Sequence, residues 1–385
     1  MAQFNSDTRG GVDDRVRITL GSHDTQIVES YTVRQSFLTQ PSHWSLRLGH
    51  GGVVAELLRR FPAGTPYKLY IGSVLQQSGL LEDRDASGGN DGATVTFGGR
   101  DALAPLLGCA DADHCFTDES YAGLVRSVLD TVLGAGKYKL VFSNRENRNT
   151  QAATDLPEFG QPIDPQGVAT GAAKVRPVRV KAGDSWYVAL RSQLDRAGLF
   201  LWAGADGSFV LSAPNTQQKP LARIIHRKDY SNVIDFHFRD HTSTRYSRVV
   251  AHARGGGGKQ GRQLTEGRYL DQEMVDAGFD RPLVIRDPKS STPGQAEAIA
   301  RRKIAESRRA SWELAYTVRG HTTPRIDGAD RVVWAVDALV EVDSEILDLH
   351  GVYWAEAVEF SRGPESKTRI SFMRPEDLVF GGEDE

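Results

Sequence analysis

Apolar and polar residues alternate along much of this chain. Val16, Ile18 and Leu20 are separated by Arg17 and Thr19, the period of a half-buried strand. Trp44, Leu46 and Leu48 repeat the pattern, and Lys68 to Ile71 and Thr94 to Phe97 read as further strands between clusters of Gly, Pro and Asp. A helical stretch, Val53 to Arg60, interrupts them. The N-terminal region therefore predicts a compact antiparallel β-domain, with the polar, glycine-rich Asp83 to Gly92 as a hairpin tip or mobile loop.

The period then changes. Thr117 or Asp118 can cap a helix whose apolar positions Tyr121, Leu124, Val125, Val128, Leu129 and Val132 recur at three and four, before Gly134 stops it. Tyr138 to Phe142 reads as a strand, and Asn144 to Ala173, rich in Asn, Gln, Pro and Gly, as a long surface loop or linker. Asp184 is placed to cap a second helix with Trp186, Leu190 and Leu194 on one stripe and Gly198 at its end. Leu199 to Trp202 and Phe209 to Leu211 then flank Ala205-Asp206-Gly207, a hairpin signal.

Strand patterns return at Val233 to Phe238 and Tyr246 to Ala253, followed by a loop containing Gly255 to Gly258. Thr292-Pro293 starts a long helix, cap followed by proline at the first helical position, running to about Arg309. Strands close the chain: Trp312 to Gly320, Ala338 to Asp343, Val352 to Phe360 and Lys367 to Met373. In the last, Lys367, Arg369 and Ser371 face one side while Ile370 and Phe372 face the other. The expected fold is mainly β with α+β inserts, two antiparallel β-domains flanking smaller α+β subdomains. The expected divisions are 1–104, a first β-domain; 105–178, an α+β subdomain with the long polar loop; 179–225, a helix-hairpin subdomain; and 226–385, a second β-domain carrying the long helix at about 293–309.

Composition narrows the function classes. At 385 residues the chain exceeds one ordinary core, with a prior of about two to four domains. Its 47 Lys plus Arg nearly balance 50 Asp plus Glu, so no global field selects nucleic acid or an anionic membrane. Two Cys rule out a disulfide framework and a four-Cys zinc site; Cys109 and Cys115 are expected as reduced packing thiols, a strained bridge being possible only in an oxidising compartment. No apolar run approaches a membrane span, so cytoplasmic synthesis and no membrane anchor are expected.

Candidate chemistry is sparse. His237 and His241 lie four apart in an extended pattern, roughly 13 Å at about 3.3 Å per residue, too far to share a metal. Gly255 to Gly258 with Lys259 resembles half of a phosphate loop, but Gln260 replaces the required Ser or Thr. Gly98-Gly99-Arg100-Asp101 lacks the third glycine of a dinucleotide fingerprint. Arg301, Arg302, Lys303, Arg308 and Arg309 could meet phosphate, yet Glu297, Glu306 and Glu313 are interleaved at helical spacing, favouring local ion pairs or a charged protein interface. The six Trp read as core anchors. No catalytic, cofactor-binding or metal-ligating residue is assigned, and no cofactor is expected.

Three segments together resemble the baseplate hub proteins of contractile-tailed phages, the family of the phage Mu hub and late control protein D. They are TVTFGGRDALAPLLGCAD from Thr94 to Asp111, DSWYVALRSQLDRAGLFLWAGADGSFVLSAP from Asp184 to Pro214, and the C-terminal run from the long helix through SWELAYTVRGH to RPEDL. The sequence departs from that pattern at Pro105 and Gly108, where relatives usually carry acidic residues. The resemblance implies a homotrimer whose two tube-like β-domains per chain make a pseudo-sixfold ring, adapting a hexameric tail tube to a trimeric central spike. It further implies a virion location, assembly in the host cytoplasm, and as partners the tail tube or distal tail protein, the central spike and other baseplate proteins. Genomic DNA would pass through without sequence-specific binding. The competing expectation is a tail-associated glycan or peptidoglycan hydrolase.

Overall fold

The computed structural model describes residues 14–25, 29–50, 54–89, 92–117, 120–142, 177–216, 218–254, 264–287, 292–328 and 331–379. The chain opens with β1 (Val16–Leu20), β2 (His23–Thr25), β3 (Ser30–Ser36), β4 (His43–His50), helix α1 (Val54–Arg60), β5 (Pro66–Ile71), β6 (Val74–Gly89) and β7 (Gly92–Asp101). These strands pair antiparallel in the order β3-β4-β7-β6-β5-β1-β2. Val16, Ile18, Leu20, Leu46, Leu69 and Phe97 enter one core, as their period of two requires. Asp83 to Gly89, expected in a hairpin tip, is instead strand, because β6 and β7 stay paired out to Gly89 and Gly92. Its residues are exposed, so no apolar alternation marks the strand. Residues 90 and 91 lie outside the described residues.

The middle region contains a 3-10 turn (Ala104–Leu107), β8 (His114–Phe116), α2 (Tyr121–Leu133), β9 (Leu140–Phe142), β10 (Val178–Val180), α3 (Trp186–Leu194), β11 (Phe200–Ala203) and β12 (Phe209–Ser212). Ser120 caps α2, its hydroxyl accepting from Gly123 N–H at 3.0 Å; Asp118 lies outside the described residues and Thr117 precedes the cap. Ser185 holds the cap position of α3, while the Asp184 carboxylate accepts from Lys181 N–H and closes the preceding turn. Gly198 ends the following 3-10 turn in the left-handed region at φ 66°. Leu124, Val128 and Leu129 of α2 share a core with Trp186 and Leu190 of α3 and Phe209 and Leu211 of β12. The expected linker Asn144 to Ala173 lies outside the described residues.

The chain then forms β13 (Ala222–His226), β14 (Val233–Asp240), β15 (Arg248–Arg254), β16 (Leu264–Leu270), α4 (Gln272–Asp276), β17 (Pro282–Asp287) and α5 (Pro293–Ser311). Thr292 caps α5 through a bond from Gln295 N–H at 3.2 Å. The helix covers one face of the sheet β16-β15-β17, burying Ala296, Ile299, Ala300 and Ile304 against Val249 and Ala251. Gly267 permits this closeness: a Cβ there would stand 2.1 Å from the Glu297 nitrogen. The glycine loop Gly255 to Gly258, with Lys259 and Gln260, lies outside the described residues.

The last strands are β18 (Trp312–Arg319), β19 (Thr322–Pro324), β20 (Arg331–Val333), β21 (Ala338–Ser344), β22 (Leu349–Arg362) and β23 (Ser366–Met373). They complete a 13-stranded sheet whose main path is β14-β18-β23-β22-β3-β4-β7-β6-β5-β1-β2, with β13 and β21 added beside β22. Strands from the two ends of the chain thus meet at β22 and β3. The fold is mainly β with α+β inserts, as the pattern of residues implies.

Candidate assembly edges

Across the long sheet the two faces differ in kind. On one face Tyr316, Ile370, Val358, Phe360, Val33, Leu46 and Phe97 form a continuous buried core. On the other, pairing aligns Arg34 with Glu359, Glu359 with Arg369, Arg369 with Thr317, and Thr317 with Asp235. The second face is a polar surface crossing five strands, with charges of alternating sign side by side.

The junction between the two chain ends is tightly specified. Residues Tyr31 to Ser36 of β3 pair with Ala357 to Arg362 of β22. Behind them the Tyr31 hydroxyl meets His321 Nε2 at 2.6 Å, and His321 Nδ1 meets Thr368 Oγ1 at 3.0 Å. Since Thr368 donates to the Gly320 carbonyl at 2.6 Å, its oxygen accepts from His321 Nδ1–H, leaving Nε2 to accept from Tyr31. The chain needs a neutral imidazole, and burial pushes the His321 pKa down to about 4. Phe37 extends the contact to the middle region, its ring 5.1 Å from Phe200 and 5.4 Å from Trp354.

Among the described residues, β14 and the outer half of β6 have a strand on one side only, as do the shorter β2 and β13. β14 pairs only with β18, and the seven residues from Ile234 to Asp240 are all exposed. Phe236 and Phe238 lie on the core side, opposite Tyr316 and Leu314, and meet the rings of His226 and Trp312, yet remain 38% and 37% exposed, with no strand beyond β14 among the described residues. At the other end, β6 pairs with β5 only as far as Leu80, and Leu81 bonds to residues 64 and 65. Asp83 to Gly89 pair with β7 alone and are likewise all exposed. Asp83 and Asp85 share the polar face with Thr96 and Gly98; His237 and Arg239 occupy that face on β14, opposite Ala315 and Glu313. The two exposed stretches match in length; on the polar face β6 presents Asp83 and Asp85, and β14 presents Asp235, His237 and Arg239, the last two beside Glu313.

The Gly-Arg-Asp turn supports the β6 edge. A Cβ on Gly99 would lie 2.5 Å from the Leu80 carbonyl, so glycine lets the strands cross closely. Arg100 forks onto Glu82 of β6 at 2.5 and 3.0 Å. Asp101, buried, accepts from Ser42 N–H at 2.7 Å and Leu103 N–H at 3.0 Å, and burial raises its pKa to about 6. The motif therefore shapes a strand end and a turn.

His237 and His241 go to separate partners, His237 to Glu313 at 3.2 Å and His241 to Ser243 at 3.1 Å. Of the basic residues on α5, Arg302 and Lys303 flank Glu306, and Arg308 reaches Asp377 at 2.7 Å and Glu273 at 3.0 Å. Arg245, almost fully buried, forks onto buried Asp271 beside them. This network, with Arg374 on Asp377 at 2.7 Å, ties α4, α5 and the C-terminal turn together. Five Trp are buried, and Trp202 is partly so. Cys109 and Cys115 are free but exposed, so the expected packing role is wrong; both sit on short edge segments of the middle region. Among the described residues no helix is long and apolar enough to cross a membrane.

The fold is shared with solved tail proteins. Two solved structures match nearly end to end. The 43 kDa tail protein of prophage MuSo2 from Shewanella oneidensis has 18% identity and a TM-score of 0.72, covering 95% of this chain and 99% of its own. A tail protein from Neisseria meningitidis has 16% identity and a TM-score of 0.73, covering 96% and 98%. An Escherichia coli type VI secretion component, described as structurally similar to phage T4 tail proteins, follows at 8% identity and a TM-score of 0.52, covering 92% and 76%. Neither a protein-family model nor a curated protein matches the sequence.

Proposed function

We propose that this chain is a structural hub of a phage tail or related contractile injection apparatus, in which three copies close a ring between a hexameric tube and a trimeric central spike. The observation that carries the reading is the pair of bare edges, β14 and the outer half of β6, on one continuous sheet. An unpaired edge is a template for another strand, and a head-to-tail pairing that closes under rotation would cover both of these edges in every copy. In this reading residues 1–104 and 226–385 supply two tube-like units, and 105–178 with 179–225 stand between them around a shared core.

The ring's work is to match symmetries and carry load in the virion, without catalysis. Its polar sheet face would line the channel, where mixed charges and a net charge of -3 would let genomic DNA pass without holding it. The tube or distal tail protein, the spike and other baseplate proteins are its partners. Sedimentation of the full chain, followed by electron microscopy, tests the proposal. A three-copy particle with a central opening is expected. A chain that stays monomeric at every concentration and in the presence of its spike, or that as a monomer degrades cell-wall glycan, would overturn it.

A further inference from the structure

A cleft of about 500 Å³ opens where three parts of the molecule meet. Leu38, just after β3, forms one rim; α3, the 3-10 turn after it and β11 contribute Arg191, Ser192, Asp195 and Phe200; β17 and α5 supply the remainder. Its charges do not balance. Arg191, Arg286, Arg302, Lys303 and Arg309 face it against Asp195, Asp287 and Glu306, five cations to three carboxylates. One of those carboxylates, Glu306, already serves both Arg302 and Lys303.

The guanidinium groups are held in place by the fold. Arg191 donates to the Leu38 carbonyl, leans on Asp195 at 3.6 Å and stands 5.8 Å over the Phe200 ring. Arg309 donates to the Asp377 carbonyl, and burial holds its pKa below the ordinary arginine value against the opposing pull of Glu306, Asp377 and Asp195. Leu38, Phe200, Ile285 and Ile299 line the cleft between these charges. Fixed cations with apolar walls suit a ligand that carries carboxylates around an apolar side chain. A bare phosphate would satisfy the charges and leave the walls wet.

We propose that this cleft binds an acidic peptide segment of a partner protein, with one aromatic or aliphatic residue seated between Asp or Glu side chains. Such a segment would bridge the first sheet, the middle module and the α5 module at once. None of the residues lining the cleft belongs to Asp83 to Gly89 or Ile234 to Asp240.

The test uses the full chain and a fluorescein-labelled hexapeptide, Gly-Phe-Glu-Asp-Glu-Gly, followed by fluorescence anisotropy at low salt. Saturable binding is expected, weakened about tenfold or more when the peptide acids are replaced by Gln and Asn. The double variant Lys303→Glu with Arg286→Glu inverts the surplus charge at two surface positions and should lose binding to a similar degree. Melting curves, with Lys303→Ala and Arg286→Ala as a milder second pair, separate this loss from misfolding. Absence of saturable binding, equal binding of the amide peptide, unchanged binding in both double variants, or displacement by inorganic phosphate at the peptide's own concentration would each overturn the proposal.

Discussion

The junction of β22 with β3 and the outer edge of β14 belong to the same sheet and show opposite treatments of one problem. At the junction, Val33 and Phe360 are fully buried, the strands pair over six positions, and a hydrogen-bond chain through His321 backs them. At β14 the same alternation of apolar residues is present, but Phe236 and Phe238 stay more than a third exposed. The difference is that, among the described residues, β3 has a strand on both sides and β14 on one. An exposed edge that keeps an apolar row is a template for another strand, and the proposed ring assigns that role to the outer half of β6 of a second copy.

This contrast separates effects on stability from effects on assembly. Phe360→Ala should cost about 3–5 kcal/mol of unfolding free energy, read by urea denaturation at a concentration below assembly. Acid should strike the junction too. The His321 pKa is lower folded, about 4, than unfolded, so the unfolded state takes up protons first and stability falls by roughly 3 kcal/mol from pH 7.5 to 4. Asp101 acts in the opposite sense: its folded pKa of about 6 exceeds its ordinary value, so it gains stability as pH falls through that range. Comparing wild type with His321→Gln isolates the first effect; parallel pH curves would show that the histidine does not titrate as described.

At the bare edge the balance reverses. Phe236→Asp with Phe238→Asp should cost the monomer about 1–3 kcal/mol, less than Phe360→Ala, while weakening self-association about a hundredfold or more, measured by sedimentation. Asp85→Lys should weaken it about tenfold, and adding Arg239→Asp should restore it. Loss without rescue would place these two side chains apart in the assembly.

Much of this was legible in the residues. Val16, Ile18 and Leu20 announce their strand because one face is buried, and Asp184 to Pro214 folds as the helix and hairpin its spacing implies. β3, although it holds the junction, carries only a faint pattern, since Tyr31 and Val33 are its only buried apolar residues and polar Arg34, Gln35 and Ser36 follow them. The role of His321 could not be read: Tyr31 is 290 positions away, and no local pattern links them. For β14 the strand itself was evident, while alternation alone cannot say whether an apolar row meets its own core or another molecule's. The arm at Asp83 to Gly89 hid because a strand exposed on both faces carries no period.

Hydrogen exchange on the full chain at low and high protein concentration reads the central claim most directly. Amides from Tyr31 to Ser36 should be protected at both concentrations, whereas those of Ile234 to Asp240 and Asp83 to Gly89 should gain protection together as three-copy particles form. Three-copy particles in which either bare edge still exchanges freely would contradict the pairing of β14 with β6.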